Sequence, residues 1–305
     1  MALTKKTKKW LSKNATSLEG KTILVTGANS GIGYKTVETC IYLGANVIMA
    51  CRNKAKAEAA REKLIGDYPQ ANILILELDL ASFASIDAFS KKISDEKIDI
   101  DVFVNNAGVF HQPNKLTKDG FEFVIGVNYL GTYYLTEKII PYLQTLSHEV
   151  VYINTISLIH KVAKKINYDD FYYQNKYKNL SVYARSKICL AKYTYFLSRK
   201  LEHSNVKVLM NHPGIAITPL GLNAVGHKIA RLNKVFGGIF NSAEKSSLSV
   251  AYILSRNVPA GSIVGPTKLF GGWGYPKINK IYRKVKCGAE ELLCFTDKEV
   301  RAHKS

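Results

Sequence analysis

From residue 21 onward, short apolar runs alternate with longer stretches of mixed polarity, and the spacing of that alternation predicts the elements. KTILVT (21–26), ANVIMAC (45–51), NILILEL (72–78), IDVFVN (100–105), EVVYINT (149–155), VKVLMN (206–211) and SIVGPT (262–267) read as strands. Most are apolar at nearly every position, as strands covered on both faces are. Helical stretches fall between them, over 33–43, 53–68, 82–95, 121–146 and 181–203. Strands alternating with helices of ten or more residues imply βαβ units. The expected fold is α/β: a single-domain, Rossmann-type doubly wound parallel sheet of about seven strands with helices on both faces. Residues 20–305 are expected to form this domain, with residues 1–19 as a basic amino-terminal extension. The least regular parts, 158–180 and about 214–260, are where a substrate-binding lid is expected.

Composition narrows the class. With 305 residues, 47% of them hydrophobic, the chain can bury a sizeable core. Its five cysteines are widely spaced and form no CxxC or Cys/His cluster, so neither a disulfide framework nor a metal site is expected. No run of about twenty apolar residues occurs, and the opening MALTKKTKKWLSKNATSLEG lacks the apolar core of a signal peptide. A soluble, cytoplasmic protein is the expectation. The net charge of +19 is spread over many lysines without a nucleic-acid-binding motif, so no nucleic-acid partner is expected. Lys5, Lys6, Lys8 and Lys9, ahead of Trp10 and Leu11, leave contact with a membrane surface as a minor alternative.

Directly after the first strand stands Thr26-Gly27-Ala28-Asn29-Ser30-Gly31-Ile32-Gly33. A strand running into a glycine-rich turn and then a helix suits a pyrophosphate. Glycines permit the tight turn and close backbone approach, and the helix start offers unpaired N–H groups. The TGxxxGxG spacing resembles the short-chain dehydrogenase/reductase family, whose glycine motif has this form. At the end of the second strand, Arg52-Asn53 supplies a guanidinium where an NAD-preferring site usually has a carboxylate. NADP(H) is therefore favoured, with NAD(H) as the alternative. Asp79-Leu80 ends the third strand, where the family places an acid near the adenine. Asn105-Asn106-Ala107-Gly108 closes the fourth and matches the family's NNAG.

Hydride transfer to a carbonyl leaves an oxyanion that needs a proton. A tyrosine can supply it if a cation one helical turn away favours the phenolate. The pattern YxxxK occurs four times: Tyr134/Lys138, Tyr172/Lys176, Tyr183/Lys187 and Tyr282/Lys286. Position selects Tyr183 and Lys187, because their helix lies between the two strands that follow NNAG and Ser186 completes the family's YxxSK. The resemblance implies that Ser157, at the preceding strand end, bonds the substrate oxygen, with Thr155 as the fallback on the same strand face. It further implies that Asn128 links the lysine to solvent through water. Pro213 and Gly214 would then pack near the nicotinamide, while Thr218 bonds the cofactor.

The motifs run in order over residues 20–220 and look most like the retinol-dehydrogenase-like branch, to which the WW-domain-containing oxidoreductase also belongs. That resemblance implies NADP(H) and a lipophilic carbonyl or alcohol substrate. A homodimer is compatible with it, since helix pairing is common in the family. Apolar residues between Ile215 and Phe240, and Trp273, are candidates for the pocket wall, although core packing explains them equally well. Two other readings stay open: a non-catalytic NADP(H)-binding sensor or scaffold, and a basic protein that associates by charge. A sugar-nucleotide epimerase is disfavoured by the glycine spacing.

Overall fold

The computed structural model describes residues 2–110, 112, 115–175, 177–217 and 241–303. Seven parallel strands form the sheet: β1 (Thr22–Thr26), β2 (Asn46–Cys51), β3 (Ile73–Glu77), β4 (Val102–Asn105), β5 (Val150–Thr155), β6 (Val206–Asn211) and β9 (Ile263–Lys268). Their order with the eighth strand, β10 (Trp273–Asn279), is β10-β9-β6-β5-β4-β1-β2-β3. Two short strands, β7 (Ala216–Ile217) and β8 (Asn241–Ser242), pair apart from it. The order reverses between β1 and β4, which opens a crevice beyond the carboxyl ends of these strands, where α/β sheets take their ligands.

Strand alternation builds the two cores. Leu24, Ile48 and Phe103 face one side, under α4 (Phe83–Asp95), α6 (Thr132–Leu143) and α7 (Asn179–Lys200). Their neighbours Ile23, Val25, Val47 and Val104 face the other, under α2 (Gly31–Tyr42) and α3 (Lys54–Asp67), with α8 (Ala243–Leu254). Each aliphatic side chain so buried contributes roughly 1.5–3 kcal/mol. That double burial is why the strands read as unbroken apolar runs.

Three features depart from the sequence expectation. The sheet has eight strands, because β10 returns antiparallel beside β9. Its sequence, WGYPKIN, carries Gly274 and Pro276 and so reads as a turn, but an edge strand tolerates both. The long helix expected over 121–146 is α5 (Phe123–Ile125), a π-helical stretch (Gly126–Gly131) and α6. Gly131 lies so close to the end of β3 that a β-carbon there would stand 2.1 Å from the Leu80 carbonyl oxygen. The amino-terminal segment forms α1 (Lys5–Asn14), with Leu11 fully buried in a cluster with Leu248 and Ala251 of α8. Trp10 stacks on Tyr275 of β10 with ring centres 5.6 Å apart. Trp10 and Leu11 thus make their contacts within the protein.

At the other end, α10 (Ala289–Ala302) crosses α7. Tyr129 and Thr296 share a hydroxyl hydrogen bond of 2.7 Å, and Tyr172 donates to Glu299 at 2.6 Å. Among the described residues no helix is long and apolar enough to cross a membrane.

Candidate active site

A groove of about 460 Å³ runs along the carboxyl ends of the central strands, from Arg52 and Lys56 at one end to Tyr183, Lys187 and Pro213 at the other. The glycine turn forms its floor. Gly27 and Gly31 adopt φ of 65° and 57°, a region that favours glycine. Gly33 is needed for space, since a β-carbon there would stand 2.3 Å from the Gly27 carbonyl oxygen and 2.5 Å from Asn106 Nδ2. The turn is locked to the NNAG segment. Thr26 Oγ1 accepts from the Asn106 and Ala107 N–H groups at 3.1 and 2.9 Å, and Asn106 Nδ2 donates to the Thr26 carbonyl at 3.0 Å. Beneath it burial pushes the Cys51 thiol upward, an effect that the Ala28 and Asn29 N–H groups partly offset.

The start of α2 fits a pyrophosphate on two counts. Its N-cap, Ser30, makes no side-chain capping bond, and no acid stands in its first turn. Asn53, Ser82 and Ser242 do cap α3, α4 and α8 with their side chains. The N–H groups at the start of α2 therefore remain for an anion.

At the adenosine end Arg52 is exposed and lines the groove with Asn29, Ile32 and Lys56. Lys56 went unnoticed in the sequence because lysine is common in this chain. Asn53 lines the groove too, but its side chain accepts the Lys56 N–H at 2.9 Å and so spends its oxygen on starting α3. Asp79 accepts the Ala81 N–H at 3.0 Å and lies 3.7 Å from the Lys118 ammonium, with Leu80 beside it in the wall.

At the other end the Ser157 side chain acts on the Tyr183 phenol and lowers it, although Ser157 does not line the groove and its Oγ accepts the Ile159 N–H at 3.4 Å. The Phe110 ring meets the Tyr183 ring edge-on at 5.1 Å. Lys187, only 4% exposed, donates to the Thr155 carbonyl at 2.9 Å, and burial pulls its ammonium down to about 8. Gly108 leaves the space for this: a β-carbon there would lie 3.5 Å from Lys187 Nζ and 3.2 Å from Asn128 Oδ1. The fully buried Asn128 grips Val109, accepting its N–H at 2.7 Å and donating to its carbonyl at 2.9 Å, with a further bond to Ser186 Oγ at 3.1 Å. Thr155 lines the groove with a buried hydroxyl that has no partner among the described residues.

Burial raises the Tyr183 phenol and outweighs the lowering by the Ser157 side chain. Lys187 is itself desolvated and engaged with Thr155, so its charge is disfavoured where it would act.

The other three YxxxK matches fall elsewhere. Tyr134 and Lys138 both bind Asp87, Tyr172 is held by Glu299, and Tyr282 is exposed. Gly214 (φ 76°) does not line the groove. It packs on the β9–β10 hairpin, where a β-carbon would lie 2.6 Å from the Gly272 carbonyl oxygen. Trp273 likewise lies outside the groove, its ring under the Lys245 ammonium at 4.1 Å. His212 is buried, accepts the Gly214 N–H at 3.3 Å, and is pulled down to about 3 by burial. Thr218, and the apolar positions from Leu220 to Phe240, lie outside the described residues.

Residues 21–226 match the family model of the short chain dehydrogenases. The chain belongs to that family. Human retinol dehydrogenase 13 is 40% identical over 225 residues, covering 73% of this chain and 67% of that protein. Mouse retinol dehydrogenase 14 is 40% identical over 214 residues, covering 67% and 64%. The chain thus spans about two thirds of the length of these curated relatives. A crystal structure of a protein from Mycobacterium paratuberculosis superposes with a TM-score of 0.75 at 28% identity, covering 95% of this chain and 97% of that one. As a short-chain dehydrogenase/reductase, the protein is an oxidoreductase of the class that acts on CH–OH donors with NAD(P)+.

Proposed function

We propose that the protein interconverts a carbonyl and an alcohol on a lipophilic small molecule, with NADP(H) as the hydride carrier. The observation that carries this reading is Tyr183 beside a buried Lys187 amine, both lining the end of the groove that begins with the uncapped start of α2. Gly27, Gly31, Gly33 and the N–H groups at the start of α2 would hold the pyrophosphate. Arg52, with Lys56 near it, would hold a 2′-phosphate, since no carboxylate stands at the end of β2 to repel one. When bound, the cofactor supplies the hydride in reduction and, once oxidised, a positive charge near the phenol.

In reduction Ser157 Oγ and Tyr183 Oη would hold the substrate oxygen, and Tyr183 would deliver its proton there as negative charge develops on it. Lys187 then returns a proton toward the tyrosinate. An amine pulled to about 8 is suited to this exchange, because it gives up a proton near neutral pH. Oxidation runs the same steps backwards. Asn128 contributes by fixing the 108–109 turn that lets Lys187 approach. Its side-chain amide is committed to Val109 and Ser186.

The lipophilic substrate is supported by the names of the relatives and by apolar Val109 and Ile156 in the wall. The test is a panel of carbonyls and alcohols followed by nicotinamide absorbance with both cofactors. Turnover of apolar carbonyls with NADPH preferred over NADH is expected. Tight NADPH binding with no turnover across the panel would favour the sensor reading instead.

A further inference from the structure

The tip of the β9–β10 hairpin carries an apolar group that nothing in the described chain covers. Phe270 is 96% exposed, Leu269 58%, and both hold left-handed φ values of 56° and 50°, which side chains disfavour. The conformation is pinned rather than frayed, because Lys161 Nζ donates to the Phe270 carbonyl at 3.0 Å. Two more exposed apolar side chains adjoin the tip. Val162, 70% exposed, follows Lys161, and Ile215 lies 3.2 Å from the β-carbon position of Gly272. Leu158, the residue after Ser157, packs 2.9 Å from the corresponding position of Gly271, so the patch borders the chemical end of the groove.

The two segments that meet at the tip carry lysines and no acid. No Asp or Glu occurs from 245 to 288 or from 150 to 168. Lys164, Lys165 and Lys268 are exposed, and Lys284 reaches across to the Lys161 carbonyl.

We propose that this face docks on an anionic lipid bilayer, with Leu269 and Phe270 entering the acyl boundary and the lysines on the headgroups. Aliphatic side chains gain from transfer to hydrocarbon, and lysines gain from a negative surface within a Debye length. A nucleic acid would match the lysines but would leave Val162, Ile215 and Leu269 without a stacking role. Trp10 and Leu11 of α1 are already engaged, Trp10 on Tyr275 of the same hairpin and Leu11 in the core. Docking does not depend on the activity proposed above. Only its benefit, entry of a lipophilic carbonyl from the bilayer beside Ser157, rests on that reading.

The experiment measures co-sedimentation of the full chain with vesicles of phosphatidylcholine alone and of phosphatidylcholine and phosphatidylserine in equal parts. Strong, salt-sensitive binding to the phosphatidylserine vesicles is expected, and little binding to phosphatidylcholine alone. The double variant Leu269→Gly/Phe270→Gly suits the φ values it inherits, so its melting temperature should be unchanged or higher. Its partition onto phosphatidylserine vesicles should nevertheless fall about tenfold or more. Lys164→Glu/Lys165→Glu should cause a similar loss. Equal partition of wild type and the glycine variant, or no vesicle binding by wild type, would overturn the proposal. So would affinity for duplex DNA that the glycine variant loses while vesicles are ignored. NADPH oxidation with a water-soluble carbonyl reads the activity separately. Absence of turnover with vesicle binding intact would remove the oxidoreductase reading and leave the docking surface standing.

Discussion

Along the glycine turn of the groove a ligand would meet main chain; at the chemical end it would meet side chains that folding has taken out of water. The first is built from glycines, an uncapped helix start and a hydrogen-bonded seam between Thr26 and the NNAG segment. The fold meets little cost there, since an exposed helix start is hydrated when no anion is bound. The second opposes itself. Burial raises the Tyr183 phenol and pulls the Lys187 ammonium down, so both groups are pushed toward neutrality at the place where charge must pass between them. Recognition is therefore cheap and general at one end, and reactivity is costly and specific at the other.

The largest effect should come from removing one oxygen at the chemical end. Tyr183→Phe keeps the ring against Phe110 and deletes the hydroxyl at the end of the groove. Turnover should fall about a thousandfold or more, in the range that a positioned general acid contributes, with NADPH affinity unchanged by fluorescence titration. Substantial residual turnover would show that the two ends do not divide the work as described.

Lys187 carries the stability side of the comparison. Its folded-state value, about 8, lies below the ordinary 10.5, so between those pH values the unfolded chain binds more protons than the folded one. Stability should rise with pH across that window, and below it the full penalty of burying an ammonium applies. Lys187→Met removes the penalty, worth on the order of 3 kcal/mol. It also leaves the Thr155 carbonyl without its donor, which offsets about 1 kcal/mol. Urea melts at pH 7 should show the inactive variant more stable by about 2 kcal/mol, with the difference shrinking toward pH 10. A variant less stable at both pH values would contradict the claim that this end is held against its own solvation.

At the other end the test is selectivity. Arg52→Ala should weaken NADPH binding roughly tenfold to a hundredfold while changing NADH binding little, because a guanidinium bonded to phosphate is worth about 1.5–3 kcal/mol. Equal losses for the two cofactors would instead make Arg52 a stacking partner of the adenine.

How much of this was legible beforehand follows the same division. The glycine turn, NNAG and the strand order announce themselves because backbone demands restrict residue type: only glycine fits at Gly27 or Gly33. The Tyr183–Lys187 pair was found among four matches by its place in the strand order. What burial does to it was not readable, since solvation depends on packing that no local pattern encodes. Strand β10 was missed for a related reason. Pro276 and Gly274 argue against a strand locally, and only its edge position makes them acceptable. Trp10 and Trp273 were given surface and pocket roles, but their contacts run to Tyr275 and Lys245, 265 and 28 residues away in the chain.

The smallest effect should sharpen the comparison most, because Asn53 belongs to both descriptions. It lines the groove next to Arg52, as a cofactor residue should, yet its side-chain oxygen is committed to the first turn of α3 through the Lys56 N–H. If its part is to start the helix, Asn53→Ala should cost about 1 kcal/mol of stability, the usual worth of an N-cap. The melting temperature would then drop by about 2 °C. NADPH affinity should change by less than about threefold, well short of the Arg52→Ala loss. Asn53→Asp decides the matter, since a carboxylate caps a helix as well as an amide does but repels a phosphate. Stability should be retained in that variant and NADPH binding weakened relative to NADH. A variant that loses stability but binds both cofactors normally would place the 2′-phosphate, and the discrimination at this end, away from the Arg52–Asn53 corner.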